Sequence, residues 1–79
     1  MNCSIVILNW NGAHMLRKYL PTVIKNSSRA EIVVADNASA DDSLQLLASD
    51  FPTVRTIVLD KNYGFADGYN RAFRALEAE

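Results

Sequence analysis

The sequence predicts an α/β domain: a three-stranded parallel sheet with β-α-β-α-β-α connectivity. Three observations predict it. Residues 3–8 and 31–35 are short, mainly apolar runs without the alternation of a half-solvated strand, so each reads as a buried strand, and residues 54–59 are a third strand, again apolar except for Arg55 and Thr56. Each run is followed by a segment whose apolar residues recur at helical spacing. Each strand-to-helix junction is rich in Asn, Asp and Gly, whereas the opposite connections around residues 27–29 and 51–53 are ordinary. Strands alternating with helices imply parallel pairing through right-handed crossovers.

The first strand, CSIVIL, is apolar or small throughout and gives way to the loop Asn9-Trp10-Asn11-Gly12, which carries an Asn-Gly turn signal. From Ala13 a helix is predicted whose buried face is Leu16, Tyr19, Leu20, Val23 and Ile24. Pro21 lies inside it and has no N–H to donate, so a kink, or a break and restart near Leu20, is expected. Asn26-Ser27-Ser28 ends the element.

The second strand stays apolar to its tip and then turns polar at Asp36, Asn37 and Ser39. Ser39 reads as a helix N-cap, with Asp42 three residues on as a variant capping box. Asp41 and Asp42 fall in the first turn, where the helix dipole favours acids. Leu44, Leu47 and Ala48 form the predicted buried stripe, and Phe51-Pro52 closes the helix.

The third strand leads into the loop Asp60-Lys61-Asn62-Tyr63-Gly64. Phe65, Tyr69, Ala72, Phe73 and Leu76 then mark a third amphipathic helix, and its aromatic residues are expected in the core. Gly68 within it costs about 1 kcal/mol relative to alanine, which suits a close approach by a backbone or ligand. The helical pattern runs to Glu79 without a stop signal, so the 79 residues are expected to be a single subdomain of a longer protein.

Composition narrows the function. With 49% apolar and 22% charged residues the chain belongs with globular rather than disordered proteins. A net charge of -1 and scattered Lys and Arg exclude the basic footprint of a nucleic-acid binder. No apolar run approaches a membrane span, and no leader pattern precedes the first strand. Cys3, the only cysteine, can form no internal disulfide and is expected to be a buried, inert thiol, compatible with a cytoplasmic setting. His14 is expected on the solvated surface.

All three polar loops fall at the carboxyl edge of the sheet, where open α/β sheets bind ligands. There Asn9, Asn11, Asn37, Asn62 and Asn70 supply amides, Asp36 and Asp60 carboxylates, and Trp10 and Tyr63 rings. Amides and a carboxylate can read a nucleobase edge while a ring stacks on its face. Asp36 is either such a contact or a cap for the next helix. The chain lacks G-x-G-x-x-G, the P-loop, a Cys/His cluster and a G-x-S-x-G elbow, which excludes the corresponding dinucleotide, nucleotide-phosphate, zinc and serine-nucleophile sites.

Taken together and in order, SIVILNWNG, EIVVADNASADDS and KNYGFADGYNRAF resemble the N-terminal, nucleotide-binding half of a family 2 glycosyltransferase of the GT-A fold. The first and third pieces are similar to its rhamnosyltransferase-like branch. The resemblance implies a Rossmann-like half with strand order 3-2-1, the first strand's outer edge pairing in the family with a strand beyond this chain. It implies that Leu8, Asn9, Trp10 and Asn11 line the base and ribose. Asp36 would accept from N3–H of uracil or thymine beside Asn37. Asn62, Gly64 and Phe65 would border the nucleotide, and Asn70 would face it from the third helix. It further implies a UDP- or dTDP-linked donor and a divalent cation, Mg or Mn. The sugar would pass with inversion to a carbohydrate or lipid-linked acceptor, as in cell-surface polysaccharide biosynthesis at the cytoplasmic membrane face.

The family's D-x-D motif and catalytic base lie beyond Glu79, and Asp41-Asp42 opens a helix rather than ending a strand. No residue here is therefore assigned a catalytic or metal role, and the chain alone is expected to be inactive. The unpaired edge of the first strand predicts self-association. The alternative function is a non-catalytic nucleotide-binding or interaction module.

Overall fold

The structure, a computed structural model, describes residues 3–77. It contains β1 (Ser4–Asn9), α1 (Ala13–Lys25), β2 (Glu31–Asp36), α2 (Ser43–Asp50), β3 (Arg55–Val58) and α3 (Gly64–Glu77). The strands are parallel in the order β1-β2-β3, as the alternating pattern predicts. β1 and β2 each run one residue past the apolar pattern, so their polar tips Asn9 and Asp36 are register partners. The ladders continue beyond them, Asn37 N–H donating to Asn9 O at 2.7 Å and Leu59 N–H to Asp36 O at 2.8 Å.

β2 is central, and Val33, Val34 and Ala35 are fully buried. Side chains alternate across a strand. Ile32 and Val34 therefore share one face, where they join Leu16 and Leu20 of α1 and Leu46 and Leu47 of α2 in the core. α3 covers the other face, lying over β1 and β2. Among the described residues no helix is long and apolar enough to cross a membrane.

Six expectations are corrected. α1 runs unbroken through Pro21, and Tyr19, expected on its buried face, is 50% exposed. Pro21 and Arg17 are both exposed, so the carbonyl left without a helical partner lies on the solvated side while Leu16 and Leu20 hold the inner face. α2 starts at Ser43 with Asp42 as its N-cap, not after Ser39, because Ser39 is held by Asp36 and the first loop. The later start turns the helix, so Ser43, Leu46 and Leu47 are buried and Leu44 and Ala48 are exposed.

α3 docks through Gly68 and Ala72, leaving Phe65 80% and Phe73 46% exposed. A Cβ on Gly68 would stand 3.1 Å from both terminal methyls of Leu8, so no ring fits beneath the helix at that spacing. Cys3 is exposed, since it precedes β1 rather than lying in the covered sheet. The predicted helix through Glu79 is seen to Glu77, and its last two residues lie outside the described ones.

β1 is an edge strand, but its outer edge is not wholly open. Its Leu8 N–H donates to the Tyr69 hydroxyl of α3 at 3.4 Å.

Candidate functional site

The three strand-to-helix loops meet at the carboxyl edge of the sheet and are tied by two sets of hydrogen bonds. The first joins the loops after β1 and β2. Asp36, with no exposed surface, accepts at Oδ1 from Asn9 Nδ2 (2.9 Å) and the Ser39 hydroxyl (2.7 Å), and at Oδ2 from Ser39 N–H (2.9 Å). Three donors are what a buried carboxylate requires. Ser39 Oγ also accepts from Asn11 N–H at 2.9 Å. Asn11 in turn accepts at Oδ1 from Ala40 N–H at 2.6 Å, its backbone left-handed at φ 50°, a conformation asparagine tolerates better than most residues.

Asn37 ties the second loop to the third. Its Nδ2 donates to Asn62 Oδ1 (2.9 Å) and Gly64 O (3.1 Å), and its Oδ1 accepts from Tyr63 N–H (2.9 Å). Gly64, at φ +75°, makes the left-handed turn into α3 that a side chain would strain.

These loops enclose a pocket of about 360 Å³. Leu8, Trp10, Met15 and Phe65 form its apolar walls, Asn9, Asn37 and Asn62 its polar groups, and Gly12 and Gly64 its remaining lining. Trp10 is 56% and Phe65 80% exposed, so both rings are open to solvent rather than packed in the core.

Of the sequence-predicted site residues, Leu8, Asn9, Trp10, Asn37, Asn62, Gly64 and Phe65 line this pocket. Asn11, Asp36 and Asn70 do not. Asn11 and Asp36 brace the loops instead. Asn70 is exposed on α3, two positions from each of the buried residues Gly68 and Ala72 and so on the opposite side of the helix. Gly12 and Met15 line the pocket although neither was assigned to it from the sequence. Gly12 was legible as a turn, but Met15 carried no signal, being one apolar residue in a helix.

Charged side chains lie on the segments that flank these loops. Asp41 accepts from Ser43 Oγ (2.5 Å) and Ser43 N–H (3.0 Å), and from Ala13 N–H (3.1 Å), so one carboxylate serves the starts of both α1 and α2. The Ser43 hydroxyl is the main reason its pKa lies below the ordinary value. Asp60 is lowered chiefly by the Tyr63 hydroxyl that donates to it, and Tyr63 is raised by the same bond. The Arg71 guanidinium lies 3.7 Å above the Tyr63 ring centre and pairs with Asp67, so Arg71 is a cation–π partner rather than a purely solvated charge. Among the described residues no group of three or more His, Cys, Asp or Glu could hold a metal ion. The divalent cation implied by the sequence resemblance therefore has no ligand set in them, and no step through it belongs to these residues.

The family model described as Glycosyl transferase family 2 matches residues 4–79. No curated protein matches the chain by sequence. Among solved structures it is similar to a mannosyltransferase from Pyrobaculum calidifontis in complex with GDP-Man and Mn2+, with a TM-score of 0.72 and 21% sequence identity. That match covers 92% of this chain and 24% of the mannosyltransferase, so the likeness is one of fold and the chain spans about a quarter of that protein's length.

Proposed function

The chain belongs to glycosyl transferase family 2, and from that premise we propose that its pocket binds the nucleotide of a nucleoside-diphosphate sugar. The observation that carries the reading is the convergence of all three loops on one pocket with apolar walls and amide groups between them. Trp10 and Phe65 supply aromatic surface for a flat base, beside loops braced by Asp36 and Asn37. The donor base is uracil or thymine on the sequence resemblance. The mannosyltransferase with the same fold was solved with GDP-Man, which adds guanine to the series to be tested.

The whole protein, in this proposal, transfers the sugar with inversion to a carbohydrate or lipid-linked acceptor. The pieces NWNG and NYGFADGYN support the rhamnosyltransferase-like branch. By the sequence resemblance neither the D-x-D motif nor the acceptor base is assigned to these residues, and among the described ones no group of three or more His, Cys, Asp or Glu could hold a metal ion. We expect the 79-residue chain to bind nucleotide without metal and to transfer no sugar.

Trp10 is the only tryptophan, so its fluorescence reports on the pocket directly. Titration with UDP, dTDP and GDP should give a saturable change that Mn2+ leaves unaltered. Phe65→Ala should weaken binding about ten-fold, as base–aromatic stacking is worth about 1–3 kcal/mol. Absence of a saturable signal with all three nucleotides, by fluorescence and by calorimetry, refutes the proposal.

A further inference from the structure

The buried polar cluster under the pocket determines which way one amide faces. A carboxylate only accepts, so the single Ser39 hydroxyl hydrogen goes to Asp36 Oδ1, at 2.7 Å. The Ser39 oxygen is then left to receive Asn11 N–H at 2.9 Å and Asn9 Nδ2 at 3.3 Å. Asn9 Nδ2 also donates to Asp36 Oδ1 at 2.9 Å. Both hydrogens of the Asn9 amide are thereby placed, and its Oδ1 must face away from the cluster.

That oxygen lies against Gly12, so near that a Cβ on Gly12 would collide with it. Asn9 and Gly12 both line the pocket. Asn9 is 5% exposed, yet among the described residues no donor is directed at its Oδ1. Asn9 Oδ1 is nevertheless not among the sealed atoms without a partner, so on a residue that lines the pocket it is reached from the open side and can accept from a ligand there.

We propose that Asn9 Oδ1 is the acceptor that reads a ring N–H on the edge of the bound base, and that Asp36 and Ser39 are positioning residues holding it in the accepting orientation. The inference rests on the nucleotide reading of the pocket and deepens it. Uracil, thymine and guanine carry an imide-type ring N–H. Cytosine and adenine carry a bare ring nitrogen at the corresponding edge, which would meet the Asn9 oxygen lone pair to lone pair. Selection is therefore for the imide class. Asp36, fully buried behind Asn9, sets that selection without touching the base.

The test compares UDP, dTDP and GDP with CDP and ADP, by calorimetry on the full 79-residue chain, for wild type, Asp36→Asn and the double variant Asn9→Asp with Asp36→Asn. Wild type should prefer the imide bases by about ten-fold or more, the scale of one buried hydrogen bond made against one left unmade. In Asp36→Asn the new amide can donate to Asn9, whose own amide then turns and presents Nδ2 to the pocket. The preference should collapse or reverse toward CDP. The double variant restores an oxygen acceptor at position 9 and should recover the imide preference.

A merely structural Asp36 would weaken all five nucleotides alike, and an unchanged preference in folded Asp36→Asn overturns the inference. Wild type that binds all five equally overturns it while leaving the nucleotide reading intact, and wild type that binds none overturns both. Circular dichroism monitors folding. If Asp36→Asn does not fold, the wild-type series and the double variant still decide.

Discussion

Asn37→Asp tests whether one buried amide holds the second and third loops together. The substitution changes almost no volume. It preserves the acceptor for Tyr63 N–H at 2.9 Å and replaces the Nδ2 donor to Asn62 Oδ1 (2.9 Å) and Gly64 O (3.1 Å) with an oxygen. Two attractive contacts become oxygen–oxygen repulsions at a site 2% exposed. Asn62 Oδ1 keeps the Gly64 N–H at 2.8 Å, so the unsatisfied groups are Gly64 O and the new carboxylate. Two lost bonds at about 1 kcal/mol each, plus one acceptor left unmade, give a penalty of about 3 kcal/mol. A chain of this length is stable by only about 4–12 kcal/mol, so Tm should fall by about 12–24 °C.

The pH dependence of that variant is a second check. Burial among oxygens raises a carboxyl pKa. The penalty is full above the raised folded-state value and shrinks as pH falls through it, because the protonated acid can donate to one of the two oxygens. Urea unfolding followed by circular dichroism at about pH 5 and about pH 8 measures both effects. A variant within about 0.5 kcal/mol of wild type, or a penalty equal at the two pH values, refutes the reasoning.

Gly68→Ala gains about 1 kcal/mol of helix propensity against about 1–3 kcal/mol of overpacking, since the methyl would stand 3.1 Å from Leu8 and 3.2 Å from Asn37 Nδ2. Stability should change little by urea unfolding, while nucleotide affinity falls because both neighbours line the pocket. Asp41, lowered chiefly by the Ser43 hydroxyl, contributes stability that is present above the unfolded-state carboxylate pKa and is lost as pH falls through the lower folded-state value. Asp41→Asn should therefore show a shallower acid limb in urea unfolding between about pH 5 and about pH 2. Self-association through the outer edge of β1, monitored by light scattering, should strengthen roughly 2- to 10-fold in Tyr69→Phe, which frees the Leu8 N–H from its hydroxyl cap. An unchanged mass distribution counts against that edge as the contact.

Fold class and the meeting of the three loops at one sheet edge were legible because they depend on local patterns. Unalternating apolar runs at β1 and β2 and the helical spacing of Leu16 and Leu20 dictate strands and a helix independently of their neighbours. Parallel order then brings Asn9-Trp10-Asn11-Gly12, the Asp36 loop and the Asn62 loop to one edge without further information. The roles of individual polar residues were less legible, because an Asp, Asn or Ser in a loop reads the same whether it meets a ligand or another loop.

Only the tertiary structure separated them. Ser39, a cap by local pattern, braces Asp36 and Asn11 across two loops, and Asp41 takes over the start of α2. Phe65 and Phe73, core residues by periodicity, are exposed because α3 lies on Gly68 and Ala72 too close to the sheet to cover a ring. By itself the sequence determined a parallel α/β edge lined with amides, since periodicity and chain order are local. The structure decided that Asp36 faces its neighbours and Asn9 Oδ1 faces Gly12 at the pocket wall, since hydrogen-bond direction depends on partners 27 and 30 residues away in the chain.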